Sequence, residues 1–170
     1  MASTEKAVFK VFIEGRPEDV WLELTKTHEP QACFFDMQLF TTGQEPGGRM
    51  QMRTKSGKYV GAVGEILEFD PPRRYAHTFR FTANDDPPCR IVYELIPRGS
   101  GTEFVMTLHD LPAGTKSTKQ MKQGGPMICK VLKSVVETGR IPFGTRVLYL
   151  LFALMEPMQP KKLRTENWPL

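Results

Sequence analysis

The strongest constraint in this chain of 170 residues is one amphipathic stripe near its C-terminal end, at residues 115–139 (TKSTKQMKQGGPMICKVLKSVVETG). From Pro126 onward, Ile128, Val131, Leu132 and Val135 recur at i, i+3, i+4 and i+7, the period of one helix face. Lys130, Lys133, Ser134 and Glu137 fall on other faces, and Gly139 is placed to end the helix in the left-handed conformation. Upstream, Met121, one of Gly124 and Gly125, and Ile128 extend the stripe. Pro126 has no amide hydrogen and crowds the carbonyl four residues back, so a kink or a fresh start is predicted at Gly124-Gly125-Pro126. The two glycines leave side-chain volume missing there. If the helix covers a cavity, that gap is where a ligand would lie.

Such a stripe needs an apolar surface to cover, and the preceding residues supply one. Residues 7–13 (AVFKVFI) read as a first strand. Gly15-Arg16-Pro17 breaks it and starts a short helix with Val20, Trp21 and Leu24 on one side, and a second short helix is expected through 31–33. Six strands follow at hairpin spacing: 34–40, 49–54, 59–69, 75–81, 90–96 and 102–111. Gly61 and Gly64 predict a bulge or sharp curvature in the third of these. Sequential hairpins make the sheet antiparallel, so the fold class is α+β, with about seven strands and the long helix on the one apolar face. Along that face run Met50, Met52, Tyr75, His77, Phe79, Phe81, Tyr93, Phe104 and Met106. Large, soft and partly polar-tipped side chains suit the wall of an adaptable ligand space as well as a plain core.

Composition narrows the function classes. A net charge of +4 is too small to argue for nucleic acid, and no Lys/Arg run is interleaved with aromatics. Cys33, Cys89 and Cys129 are odd in number and lack Cys-x-x-Cys pairing, which reads as a reduced, cytoplasmic chain without a zinc or disulfide frame. The N-terminal MASTEKAVFK shows no signal-peptide apolar region. His109-Asp110 has no third ligand at a recognisable spacing, Gly99-Ser100-Gly101 is a turn, and no phosphate loop or dinucleotide fingerprint is present. No catalytic residues, metal ligands or cofactor are therefore expected, and an enzyme is the less favoured reading. His77 is the best functional polar candidate, because it shares the aromatic stripe and titrates near neutrality.

The segment after Gly139 is different in kind. Residues 145–156 (TRVLYLLFALME) include nine unbroken apolar residues, too apolar for a helix free in water. At about 1.5 Å per residue such a helix is about 18 Å long, short of a bilayer's hydrocarbon core. Three destinations remain: packing over the domain, a homodimer interface, or a membrane surface helped by Arg146, Lys161, Lys162 and Arg164. The first two rank above the third, because an interfacial helix should show a strongly polar face.

The order of elements, with Pro17-x-x-Val20-Trp21-x-x-Leu24-Thr25, Gly64-x-Ile66, Asp70-Pro71-Pro72-Arg73-Arg74 and Tyr93-Glu94-Leu95, resembles the SRPBCC (START-like, birch-pollen-allergen-like) superfamily. Gly99-x-Gly101-Thr102 and the helix ending Val136-Glu137-Thr138-Gly139 fit as well. Within the superfamily the chain is most similar to bacterial homologues of the activator of a heat-shock ATPase. The resemblance covers about residues 7–139 and implies a helix-grip fold there, so the chain is expected to divide into a helix-grip domain, 1–139, and an apolar helical extension, 140–170, packed on the domain or on a partner subunit. It also implies a cavity between sheet and helix that holds a hydrophobic, lipid-like or aromatic small molecule. The expected ligand-binding residues are Met50, Met52, Tyr75, His77, Phe79, Tyr93 and Met106 on the sheet, with Gly125, Ile128 and Leu132 on the helix. Relatives often carry Trp where this chain has Gly125, so a larger cavity is expected, or a gap filled by something else such as the tail. A chaperone partner and a cyclase- or hydrolase-type activity are the alternatives that the resemblance implies.

Overall fold

A computed structural model describes residues 3–170, so Met1 and Ala2 of the expected first unit lie outside it. One eight-stranded antiparallel sheet organises the chain: β1 (Thr4–Ile13), β2 (Pro30–Gln31), β3 (Met37–Thr41), β4 (Arg49–Arg53), β5 (Val60–Asp70), β6 (Arg74–Phe81), β7 (Cys89–Arg98) and β8 (Gly101–Pro112). Its spatial order is β1-β8-β7-β6-β5-β4-β3-β2. The first strand thus pairs with the last, and the hairpins run outward from there to the two-residue β2. The expected seven strands become eight because Pro30 and Gln31 pair briefly with Gln38 and Met37.

Curvature arises where the two strand glycines predicted it. The β4–β5 register shifts around Gly61, and a Cβ on Gly64 would run into the Thr78 carbonyl on β6. A second shift lies between Ile66 and Glu68 in the β5–β6 pairing. The sheet can therefore curl around a helix instead of lying flat under it.

The helix it curls around is α2 (Lys116–Thr138), preceded in the chain by the short α1 (Pro17–Thr25). Thr115 caps α2 by accepting a hydrogen bond from the Thr118 amide at 3.2 Å, and Gly139 closes it at φ 70°. The fresh start predicted as one alternative at Pro126 does not occur: α2 runs through it as one helix. The glycines beside Pro126 lack side chains that would crowd neighbouring elements. Phe9 of β1 packs against Gly125 and Phe35 against Gly124. Val131 and Leu132 are fully buried in a core that also holds Ile13, Val20, Phe104 and Leu111.

Residues 34–40 also differ from the strand expected. Ala32–Phe34 form a single 3-10 turn, then Phe35 and Asp36 both take left-handed backbone conformations, at φ 59° each, before β3 begins. Two successive non-glycine residues in that region are uncommon and strained. On the outer face of the sheet, Arg74 bridges Glu68 at 2.9 Å and Glu94 at 3.2 Å, as solvated strand faces allow.

After α2 the chain forms α3 (Phe143–Met155) and three 3-10 turns. The last of these bring Thr165 to donate its amide to the Lys58 carbonyl at 2.9 Å, while the Trp168 carbonyl accepts from Gln51 Nε2 at 3.0 Å. Among the described residues no helix is long and apolar enough to cross a membrane.

Candidate functional site

Curling the sheet around α2 does not fill all the space between them. A cavity of about 630 Å³ remains, floored by β4, β6, β7 and β8 and roofed by the first half of α2. Its size falls in the range typical of small-molecule sites. Alternation along the strands places Met50 and Met52, then Tyr75, His77 and Phe79, then Tyr93, then Met106 on the floor. Across from them stand Met121, Gly124, Met127 and Ile128 of α2.

Eight of the ten residues expected at the site line this space; Gly125 and Leu132 do not. A Cβ on Gly125 would sit 2.5 Å from the Phe9 ring carbons, so Phe9, and not a ligand or the tail, occupies the gap left there. Leu132 is buried one turn further along, in the core beyond the cavity. The glycine that faces the cavity is Gly124, four residues before Ile128 and three after Met121. That spacing was readable in the sequence, but it does not say which glycine meets β1. Sequence reasoning missed Phe34, Phe35 and the fully buried Gln31 in the lining, and no periodic pattern marks them.

The polar groups of the wall are mostly satisfied internally. His77 Nδ1 lies 2.8 Å from the Thr78 carbonyl, which can only accept, so Nδ1 carries the proton and donates it. Nε2 is then the acceptor for the Tyr93 hydroxyl at 3.2 Å. Burial lowers the His77 pKa to about 4, opposed only by the bond to the Thr78 carbonyl, and the imidazole is neutral at pH 7. Burial likewise pushes the Tyr75 and Tyr93 phenols up. The Tyr75 and Tyr93 rings stack at 5.5 Å between centroids, forming a flat aromatic floor. Tyr75 differs from its neighbour in one respect. Its hydroxyl reaches only the thioether of Met50, at 3.5 Å, a weak acceptor. Gln31 donates through Nε2 to the Leu24 carbonyl at 2.9 Å, while its buried Oε1 has no protein partner.

The three thiols are buried and none is activated. Burial raises the Cys33 thiol, takes Cys89 to about 12 and takes Cys129 to about 11. Among the described residues no group of three or more His, Cys, Asp or Glu side chains is placed to hold a metal.

The segment after α2 forms part of the cavity wall. Leu148 and Phe152 of α3 line the space, together with Gln159 and Leu163. The segment covers the space without filling it.

Comparison with known proteins agrees with this architecture. No curated protein sequence matches the chain significantly. Among solved structures, protein MLL2253 from Mesorhizobium loti superposes with a TM-score of 0.64 at 22% identity, covering 77% of this chain and 96% of that one. The Aha1 dimer from Colwellia psychrerythraea gives 0.65 at 16% identity over 80% of this chain and 98% of that one. PFC0360w, an HSP90 activator from Plasmodium falciparum, gives 0.53 at 17% identity over 71% and 86%. At such identities these likenesses establish the fold alone. The sequence model for "Activator of Hsp90 ATPase homolog 1-like protein" matches residues 14–137, well over half the chain, from the end of β1 to the end of α2. The cavity and the helix that roofs it therefore lie in a helix-grip domain of the SRPBCC type, and the protein belongs to the Activator of Hsp90 ATPase homolog 1-like family.

Proposed function

We propose that the protein binds an apolar or aromatic small molecule in the cavity between the sheet and α2. The observation that carries this reading is a space of about 630 Å³ walled by methionines and aromatics in which few polar groups are free. Apolar ligands gain most where the wall offers dispersion contact and little polar surface to desolvate. Flexible Met50, Met52, Met106, Met121 and Met127 let the wall adapt to more than one shape. The stacked Tyr75 and Tyr93 rings suit a planar or chain-like body laid across them.

The hydrogen bonds narrow the ligand further. Tyr93 spends its proton on His77, and His77 spends its own on a backbone carbonyl. Tyr75 is left as the donor with the weakest partner. A ligand bearing a carbonyl, ether or hydroxyl oxygen would take its proton and gain orientation as well as affinity. This arrangement gives His77 an orienting role: a neutral imidazole with both nitrogens bonded is a poor general base.

Native mass spectrometry of freshly purified protein, followed by solvent extraction, tests the reading. A defined adduct is expected, and Ile128→Trp, which puts an indole into the cavity, should abolish it. An adduct that persists unchanged in Ile128→Trp would refute the placement.

The family description and the Plasmodium HSP90 activator favour a second reading, a protein-interaction module that stimulates a chaperone ATPase. It needs no ligand. Stimulation of a purified Hsp90-type ATPase by the Ile128→Trp protein, at wild-type strength, would support it.

A further inference from the structure

The outer side of α3 carries a run of exposed apolar side chains that cavity binding does not use. Thr145 and Tyr149 seat the helix, with the Tyr149 hydroxyl donating to the Ala32 carbonyl at 2.7 Å. Glu156, just past its end, accepts from Thr54 Oγ1 at 2.7 Å and from Ser56 Oγ. Between these anchors the helix is thinly held. The ligand cavity lies under one flank, and a second hollow of about 530 Å³ lies along the other, bordered by Arg146, Leu150, Ala153 and Glu156. On the far side, Phe143, Val147, Leu150, Leu151 and Leu154 recur at i, i+4, i+7, i+8 and i+11, one continuous apolar stripe. Phe143 is 75% exposed, Leu150 60%, Leu154 68%, and Met158 beyond the helix 78%. Contiguous apolar surface of this kind marks an interaction site.

The charges around the stripe identify the occupant. Arg140, Arg146, Lys161, Lys162 and Arg164 are all exposed, against two acidic side chains in residues 140–170: Glu156, engaged by Thr54 and Ser56, and the exposed Glu166. A second copy of the chain would have to present the same surface, because a two-fold contact pairs a patch with itself. That would bring two cationic rims together with little acid to offset them. An anionic bilayer has the opposite character: negative phosphates for the rim and acyl chains for the stripe. The missing polar face, which would argue against an interfacial helix in isolation, is supplied by the domain itself, since Thr145 and Tyr149 turn inward onto it.

We infer that α3 docks on the surface of an anionic lipid bilayer, its apolar outer face entering the headgroup–acyl boundary and its basic rim resting on lipid phosphates. The same helix lends Leu148 and Phe152, from its inner side, to the cavity wall.

Vesicle flotation of the full chain tests the docking without reference to any cavity ligand. The protein should float with phosphatidylcholine vesicles containing phosphatidylglycerol and fail to float with phosphatidylcholine alone, and added salt should weaken the binding. Leu150→Glu/Leu154→Glu changes exposed positions and should keep the wild-type unfolding midpoint, yet bind at least about tenfold less. Arg146→Glu/Lys161→Glu should lose a comparable factor while the salt dependence weakens. Failure of the wild type to float on anionic vesicles would overturn the inference, as would undiminished flotation of the Leu150→Glu/Leu154→Glu protein. Sedimentation as a dimer that Leu154→Glu dissociates, with no vesicle binding, would assign the face to a second copy instead. None of these results touches the adduct measurement, so docking and cavity binding stand or fall separately.

Discussion

The two longer C-terminal helices obey different rules. α2 carries apolar and polar residues in contrast, and the contrast says which side is buried: Val131 and Leu132 inward, Lys130 outward. α3 is apolar at nearly every position, so its sequence contains no such contrast. Its inward side is chosen by Tyr149, through one hydroxyl bonded to a backbone carbonyl, and by small Thr145. An amphipathic pattern encodes its own orientation; an all-apolar one leaves orientation to the partners it meets.

The sharpest way to break that comparison is to truncate one leucine on each helix. Leu132→Ala on α2 removes a fully buried side chain and should cost about 2–5 kcal/mol in urea unfolding. Leu154→Ala on α3 should cost no more than about 0.5 kcal/mol, because that side chain is already in water. Similar losses from both would mean that α3 is covered in solution.

Next in size is the pH response of the wall that α2 covers. His77 has its pKa lowered to about 4 in the folded protein, against an ordinary value of 6.5. Between those values the unfolded chain binds the extra proton. The stabilisation is therefore complete above about pH 6.5 and is lost as pH falls toward 4, by on the order of 3 kcal/mol. Stability curves of wild type and His77→Gln should converge over that window. Parallel curves would show that His77 is not held neutral.

A smaller effect separates the two adjacent glycines of α2. Gly125→Ala should destabilise by about 1–2 kcal/mol, since its Cβ would press on the Phe9 ring. Gly124→Ala should stabilise by about 0.5–1 kcal/mol, because its Cβ would meet Phe35 at 3.4 Å while helix propensity improves. Thermal unfolding of the pair would show the opposite signs.

The smallest effect is on α3 itself. Tyr149→Phe removes its bond to Ala32 and should cost about 1 kcal/mol. Hydrogen exchange should rise across Phe143–Met155 and stay unchanged in α2. A rise confined to α2 would contradict the seating described.

Much of this architecture is legible in the sequence. The hairpin order, the single apolar face with Met50, Tyr75, His77, Tyr93 and Met106 along it, and the curvature at Gly61 and Gly64 all follow from strand alternation and local breakers. So does the α2 stripe with its Gly139 cap. Each is a property of one short segment, in which apolar and polar residues alternate with a period that only one conformation satisfies. What only the tertiary structure decided concerns segments distant in the chain. Phe9 takes the space at Gly125 and thereby leaves Gly124 to the cavity. The α2 helix continues through Pro126, which the local sequence alone left open as a possible helix start. The left-handed Phe35-Asp36 pair brings a ring to the lining, and Tyr149 fixes which face of α3 looks outward. Those outcomes depend on which surfaces meet, and a periodic pattern within one element carries no record of its neighbour.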